Sequence, residues 1–240
     1  KDSTIEVTMW SEKIVKYGTK LFFADIKIKH PSQFRRQWSH GDYSSTKNQY
    51  PTTMFANSHG VVGMSADFYK HRKYGIIVQY GTLLCDKRTG HPLDVLVVDY
   101  DGNFHIWDDK KLSAHIKENG TDDIMLSFTF GPALVIDGKE TKLSAKRYEN
   151  HILGELDQVV GRAAIGQLGE LHYLLCTASK PGLKGQDIAD VMAERHCITA
   201  YNFDGGQTGT LLFDGKVFNE IAYKGVQRDM SDIIYFASAE

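Results

Sequence analysis

Asp204 follows a hydrophobic run and precedes Gly205 and Gly206, in the stretch AYNFDGGQTGTLLFDG. Two interpretations fit this stretch. It can be a plain turn between two strands, which is the more frequent role of an isolated DGG. It can also hold a small anion beside an acid, because consecutive glycines let backbone N–H groups converge, and Thr208 and Thr210 would add hydroxyl donors.

Three further stretches carry charged residues that could accompany Asp204. GVVGMSADFYKHRKYGIIVQYGTLL runs from an apolar segment through Asp67, Tyr69 and Arg72 and returns to an apolar segment. A solvated turn would have the same composition, so binding and solvation are equal alternatives here. Arg162 stands at a strand start in GRAAIGQ, and Arg228 lies just before the last strand in VQRDMSDIIYF.

In their order along the chain, these stretches resemble the phosphodiester glycosidase family. The family pattern runs approximately SGDYY, G.VI.NG.L, FGP.L...G, R.AIG, N.DGGGSST and R..SD.I. This sequence has SADFY, GIIVQYGTLL, FGPALVIDG, RAAIG, NFDGGQTGT and RDMSDII in the same order, from about residue 25 to the C-terminus. It departs from the pattern at four places: Ala66 for a glycine, Gln207 for a third glycine, Thr208-Gly209 for Ser-Ser, and CTAS at 176–179 for DGR.

The resemblance implies hydrolysis of a sugar-1-phosphodiester to free sugar and a phosphomonoester. The bond between sugar C1 and oxygen breaks most easily, because phosphate is a good leaving group and the sugar can carry positive charge as an oxocarbenium-like species. Charge stabilisation therefore matters more than protonation of the leaving group. The expected substrates are bacterial surface glycopolymers, teichoic-acid-like or capsular, and the expected location is extracellular or at the cell surface.

The site residues implied by the resemblance fall into two groups. Arginine binds phosphate oxygens in pairs and stays ionised, and a carboxylate can activate water or stabilise C1. The separation of the two carboxylates would indicate a retaining or an inverting reaction. The catalytic candidates are Asp204, Asp67, Arg162 and Arg228, and the substrate-binding candidates are Arg72, Tyr69, Asn202, Gly205, Gly206, Thr208 and Thr210.

Each assignment has a structural alternative. Asp204 can cap a turn, Arg162 can bridge to a core carboxylate, Asn202 can hold the loop, and Asp232 fits better as the partner of an arginine than as a catalyst. No cofactor is required by the spacing, although Ca²⁺ or Mg²⁺ bound by such oxygens is compatible with it. At the level of function, the alternatives are a non-catalytic module that binds cell-wall glycopolymer and a phosphodiesterase that cuts the P–O bond.

The elements that must position these residues are mainly strands. Hairpins are predicted at DVLVVDY/NFHIWD, RAAIGQ/LHYLLCTA and TLLF/KVFNE, and SDIIYFASA predicts a last strand. Helices are predicted at DDKKLSAHIKENG and GQDIADVMAERHC, and the polar stretch 37–53 predicts a surface loop. The predicted fold is α+β, a mainly antiparallel mixed sheet with a few helices packed on it, in a single domain over residues 1–240.

Composition excludes several other classes. The formal net charge of −2 and the pI near 6.6 give no general field for nucleic acid, and no apolar run approaches the length of a membrane span. Scattered histidines and three cysteines without a CxxC pair predict no zinc site and no disulfide framework. The chain starts at Lys1, so we expect that a targeting or anchor segment has been removed.

Overall fold

The computed structural model describes residues 2–67, 69–70, 74–88, 90, 92–143, 156–222 and 225–239. Within them the chain forms three sheets and three α-helices, and every pairing between described strands is antiparallel. The predicted α+β class is therefore confirmed. The division of the strands among three sheets is a feature that their sequence pattern did not indicate.

The first sheet has seven strands. Its central strand β12 (Ala163–Gly169) lies between β13 (His172–Ala178) and β14 (Thr199–Phe203), so that Ala164 is opposite Cys176 on one side and Asn202 on the other. In spatial order the strands are β1 (Ile5–Ile14), β2 (Thr19–Ile28), β13 (His172–Ala178), β12 (Ala163–Gly169), β14 (Thr199–Phe203), β10 (Ala133–Ile136) and β11 (Lys139–Glu140).

The second and third sheets have five strands each. The second sheet is, in order, β16 (Lys216–Val217), β15 (Leu211–Phe213), β4 (Gly60–Ser65), β17 (Asp232–Ala237) and β3 (Phe34–Trp38). The third is β6 (Thr82–Lys87), β5 (Gly75–Gln79), β9 (Ile124–Phe128), β7 (Asp94–Asp99) and β8 (Phe104–Asp108).

All three sheets contribute one face to a common hydrophobic core. The core includes Phe203 from the first sheet, Met64 from the second and Phe128 from the third. On the outer face of each sheet lies one helix: α3 (Gly185–Glu194) on the first, α1 (Pro51–Ser58) on the second and α2 (Asp109–Asn119) on the third. This arrangement confirms the prediction of helices packed on an antiparallel sheet.

The two predicted helices form where their sequence signals place them. The Asp108 carboxylate caps α2 by accepting bonds from the amides of Lys110 and Lys111, and the helix stops before Gly120. In α3 the residues Ile188, Val191 and Met192 are buried against the first sheet. The three predicted hairpins are the pairs β7–β8, β12–β13 and β15–β16.

The polar stretch 37–53 is only partly a loop. Strand β3 continues through Trp38, and α1 begins at Pro51. The strand was missed because the buried residues of FRRQW are Phe34, Arg36 and Trp38, and the charged Arg36 hides the alternation of apolar letters that is typical of a strand. Cys176 and Cys197 are buried, whereas Cys85 is only half-buried.

In the described part of the chain, no helix combines the length and the apolar character needed to cross a bilayer.

Candidate functional site

A small cavity opens where β14 ends and Asp204 begins. Its volume is about 140 Å³, and its lining comes from segments 156–162 and 202–206 together with Phe130. Five of the sequence candidates lie in this lining: Arg162, Asn202, Asp204, Gly205 and Gly206. The strand end and the Arg162 segment therefore meet at one cavity, while the chemical roles of these residues stay predictions.

The end of β4 holds the loop that carries Asp204. The Asp204 amide donates to the carbonyl of Ala66 over 3.0 Å, and the Asp204 carbonyl accepts from the Ser65 hydroxyl over 3.0 Å. The far end of the loop is held at the same place, because the Ser65 amide donates to the Thr210 carbonyl. The backbone on both sides of the DGGQTG turn is thereby fixed to one residue of the neighbouring sheet.

One of the two glycine amides predicted to bind an anion is bonded within the protein. The Gly206 amide donates to the Gly161 carbonyl over 2.7 Å. The Gly205 carbonyl accepts bonds from the Thr208 amide and hydroxyl and from the Gly209 amide. Gly206 N–H and the Thr208 hydroxyl are thus engaged in closing the turn, which leaves less donor capacity for an anion than the sequence suggested.

Gly205 is required because two backbone segments touch at its position. A Cβ added there would lie 2.3 Å from the Gly161 oxygen and 3.1 Å from the Arg162 Cα, and both contacts are to backbone that cannot rotate away. At Gly206 the reason is different, since its φ of +57° favours glycine although nothing lies within 4 Å. The glycine pair therefore serves close packing and turn geometry first.

We expect Gly205→Ala to destabilise the protein by about 1–3 kcal/mol, which lowers Tm by about 2–12 °C. Gly209→Ala is the matched control. Its φ is −58°, and the nearest atom to an added Cβ is 3.4 Å away. Thermal unfolding of both variants checks the prediction, and equal Tm values would contradict it.

Arg162 is buried and binds backbone at the cavity wall. Its Nε donates to the carbonyl of Leu183 and its Nη2 to the carbonyl of Gln158, each over 2.9 Å. These bonds connect the segment before β12 with the segment before α3. For these two donors the partners are therefore backbone carbonyls and not a core carboxylate.

Asn202 is one of the residues that line the cavity. Its Nδ2 donates to the Gly131 carbonyl over 2.9 Å, which fixes the orientation of the amide. Its Oδ1 is buried, and no described residue donates to it. A buried amide oxygen without a donor costs free energy, so a ligand or water that donates to it would be favoured.

Asp67 lies beside the cavity but its carboxylate does not line it. The side chain is completely buried, and its Oδ2 accepts from the Thr129 amide over 2.9 Å. Arg36 lies behind it, with Nη2 3.9 Å from the Asp67 Oδ2 and Nε 3.1 Å from the Asp232 Oδ2. Asp232 is therefore the partner of an arginine, as expected, and that arginine is Arg36.

Arg36 is the residue that the sequence analysis missed. Its guanidinium is fully buried, with Cζ 3.8 Å from the Phe128 ring centroid and 4.6 Å from that of Trp38. Burial lowers the pKa of Arg36 to about 10, and the Asp232 charge opposes that shift, so the group stays charged at neutral pH. Phe34 and Trp38 stand four residues apart and would share a face with Arg36 in a strand, and this spacing is the signal that could have found it.

The remaining candidates lie elsewhere. The Tyr69 hydroxyl donates to the Tyr43 carbonyl, and its ring packs on Tyr43 and Trp38, away from the cavity lining. Thr210 is buried behind the loop, and Arg228 is exposed and does not line the cavity. Arg72 lies outside the described residues.

Neither the CTAS segment nor a metal-binding cluster adds to the cavity in the described part of the chain. The CTAS segment that replaces DGR is buried at the end of β13 and contributes nothing to the lining. The described residues contain no group of three or more His, Cys, Asp or Glu side chains arranged to hold a metal ion.

Comparison with known proteins identifies relatives of this fold. The family model described as phosphodiester glycosidase matches residues 58–237. No curated protein matches the chain. The zebrafish N-acetylglucosamine-1-phosphodiester alpha-N-acetylglucosaminidase catalytic domain, auto-inhibited by pro-peptide, is 12% identical with a TM-score of 0.71, over 98% of this chain and 83% of that one.

Two bacterial structures are similar as well, each at 12% identity. A hypothetical protein from Synechocystis has a TM-score of 0.65, over 97% of this chain and 62% of that one. A Burkholderia pseudomallei protein described as exported has a TM-score of 0.63, over 92% of this chain and 75% of that one. These likenesses show the fold, and the family match covers well over half of the 240 residues. The chain belongs to the phosphodiester glycosidase family.

Proposed function

We propose that this protein hydrolyses a sugar-1-phosphodiester and releases free sugar and a phosphomonoester. The observation that carries the proposal is the cavity that Asp204, Asn202 and Arg162 line together, in a chain of the phosphodiester glycosidase family. Asp204 is the one acidic residue among the described residues that line the cavity, and hydrolysis at a sugar carbon needs a carboxylate. Because Asp67 is fully buried in its contacts with Arg36 and Thr129, we assign the chemical role to Asp204 alone.

In the proposed reaction, the bond between sugar C1 and the phosphate oxygen breaks and a water oxygen forms the new bond to C1. The Asp204 carboxylate either accepts the proton of that water or stabilises the positive charge that develops at C1. The Arg162 charge at the cavity wall favours the phosphomonoester as it departs. A strong acid for the leaving group is unnecessary, since phosphate departs as a stable anion.

Asn202 supports a specific orientation of the substrate. Its Oδ1 can only accept a hydrogen bond, and an ionised phosphodiester has no proton to donate. A sugar has hydroxyl donors. We therefore propose that Asn202 binds the sugar end of the substrate and that Arg162 lies towards the phosphate end.

We expect Asn202→Leu to reduce kcat/KM for sugar release by about 10-fold, the loss of one buried hydrogen bond. Activity per folded molecule is measured, with the folded fraction taken from thermal unfolding. If Asn202 only holds the Gly131 loop, Tm falls while kcat/KM of the folded protein stays the same, and the orientation is wrong.

The substrate class and the location are proposed from the family and from the similar structures. We propose bacterial surface glycopolymers as the substrates, teichoic-acid-like or capsular, with the protein acting outside the cell or at its surface. The similarity to a protein described as exported supports that location. We also propose that the reaction needs no cofactor.

The deciding experiment uses a sugar-1-phosphodiester in ¹⁸O water. The proposal expects the label in the released sugar, with unchanged turnover in EDTA, whereas a phosphodiesterase would place the label in the phosphate product. Loss of turnover in EDTA that Ca²⁺ or Mg²⁺ restores would show that a cation participates. Absence of any cleavage product would overturn the proposed hydrolysis.

A non-catalytic glycopolymer-binding module is the second candidate function. It is favoured by the engagement of the Gly206 amide and the Thr208 hydroxyl within the turn, and by a cavity of about 140 Å³, which is below the range of roughly 300–1,000 Å³ usual for ligand pockets. A polymer pull-down in parallel with the cleavage assay distinguishes the two, because a binder retains the polymer and releases no sugar.

A further inference from the structure

A second cavity lies between α2 and the outer face of the third sheet. Its volume is about 320 Å³, and it shares no lining residue with the Asp204 cavity. The floor is apolar and comes from Val97, Leu112 and Ile124, and the Trp107 ring is part of the wall. Val97, Leu112 and Ile124 belong to the hydrophobic cluster under α2, whereas Phe130 and Phe203 of the Asp204 cavity belong to the common core.

Two imidazole–carboxylate pairs line the same cavity. His105 Nε2 is 2.8 Å from Asp99 Oδ2, and His115 Nε2 is 2.9 Å from Asp123 Oδ2. The His115 and Trp107 ring centroids are 5.1 Å apart. His105 and Asp123 are largely exposed at the rim, so their polar groups can reach a molecule that enters from solvent.

This combination restricts the class of ligand. Small-molecule sites are mostly apolar with a few convergent polar groups, and about 320 Å³ lies at the lower end of the usual range of roughly 300–1,000 Å³. A metal ion is a poor match, because the described residues form no group of three or more His, Cys, Asp or Glu side chains that could hold one. A pyranose fits well: one ring face carries C–H groups that pack on an indole, and its edge carries hydroxyls for imidazole and carboxylate.

We propose that this cavity is a binding site for one pyranose ring of a glycan, with its C–H face on Trp107 and its hydroxyls at the two imidazole–carboxylate pairs. The proposal goes beyond the proposed hydrolysis, because this site holds a sugar whether or not Asp204 cleaves one. On a polymeric ligand, such a site would retain the chain between catalytic events.

The test measures binding alone, on the full chain, so that its result is independent of turnover. Methyl glucoside and methyl N-acetylglucosaminide are titrated separately while the indole N–H resonances of the three tryptophans are recorded by NMR. We expect one resonance to shift saturably, and Trp107→Phe to remove that resonance and identify it. Glycerol at equal concentration should leave it unmoved.

A pair of exposed aspartates gives a matched control. Asp123→Ala removes a polar group of the rim, and we expect binding about fivefold weaker, the loss of one hydrogen bond. Asp122→Ala removes the same charge at the adjacent exposed residue, which does not line the cavity, and should bind normally. The proposal is overturned if neither glycoside shifts the Trp107 resonance, if glycerol shifts it equally, or if the two aspartate variants bind alike.

Discussion

Asp204→Asn is expected to lower kcat for sugar release from a sugar-1-phosphodiester by about 10²- to 10⁴-fold, the usual effect of removing an acid–base group. Asparagine keeps the size of the side chain and removes its charge, so the carboxylate can neither accept a proton from water nor stabilise positive charge at C1. The fold should persist, because residue 204 is bonded to Ala66 and Ser65 through its backbone amide and carbonyl, which the substitution leaves in place.

Asp214→Asn is the matched control for this loss. Asp214 is exposed in the turn between β15 and β16, with a φ of +49° that asparagine adopts readily. It should keep full activity and an unchanged Tm. Steady-state kinetics on both variants, with Tm measured alongside, decide the matter, and a kcat for Asp204→Asn within threefold of the wild type would defeat the assignment.

The local elements of this fold could be predicted because their signals are local. A capping carboxylate, a 3.6-residue apolar period and short glycine turns specified α2, α3 and three hairpins. The grouping into three sheets could not be predicted in the same way. Alternation tells which face of a strand is buried, but it does not say that Leu21 will pair with Ala178, more than 150 residues further along the chain.

The same limit explains which site residues the sequence located. Asp204 was correctly placed at a strand end, because the apolar segment before it is β14. The surroundings of Asp67 depend on Arg36, a residue from a distant strand whose burial the polar letters of FRRQW conceal. Arg228 was chosen for its position in a motif, yet it is exposed, since spacing along a chain does not fix the direction of a side chain.

Arg36→Met is expected to reduce the free energy of unfolding by about 3–5 kcal/mol, which corresponds to a fall in Tm of about 6–20 °C. Methionine fills much of the space between Phe128 and Trp38 but leaves the buried Asp67 and Asp232 carboxylates without the guanidinium charge. The cost should come from those charges, so Arg36→Met/Asp232→Asn should be more stable than Arg36→Met alone.

Arg35→Met makes the same change on the opposite face of β3, where Arg35 is half-buried and its Nε donates to the Ser32 carbonyl. It should cost no more than about 1 kcal/mol. Urea unfolding of the wild type, Arg36→Met, Arg36→Met/Asp232→Asn and Arg35→Met provides the measurement. If the double variant is less stable than Arg36→Met, the loss comes from packing, and Arg36 does not act by balancing buried carboxylates. If the double variant is more stable, the buried charge of Arg36 acts by balancing the carboxylates. Arg36 then also supports the Asp204 loop, because Asp67 directly follows Ala66, whose carbonyl accepts a hydrogen bond from the Asp204 amide.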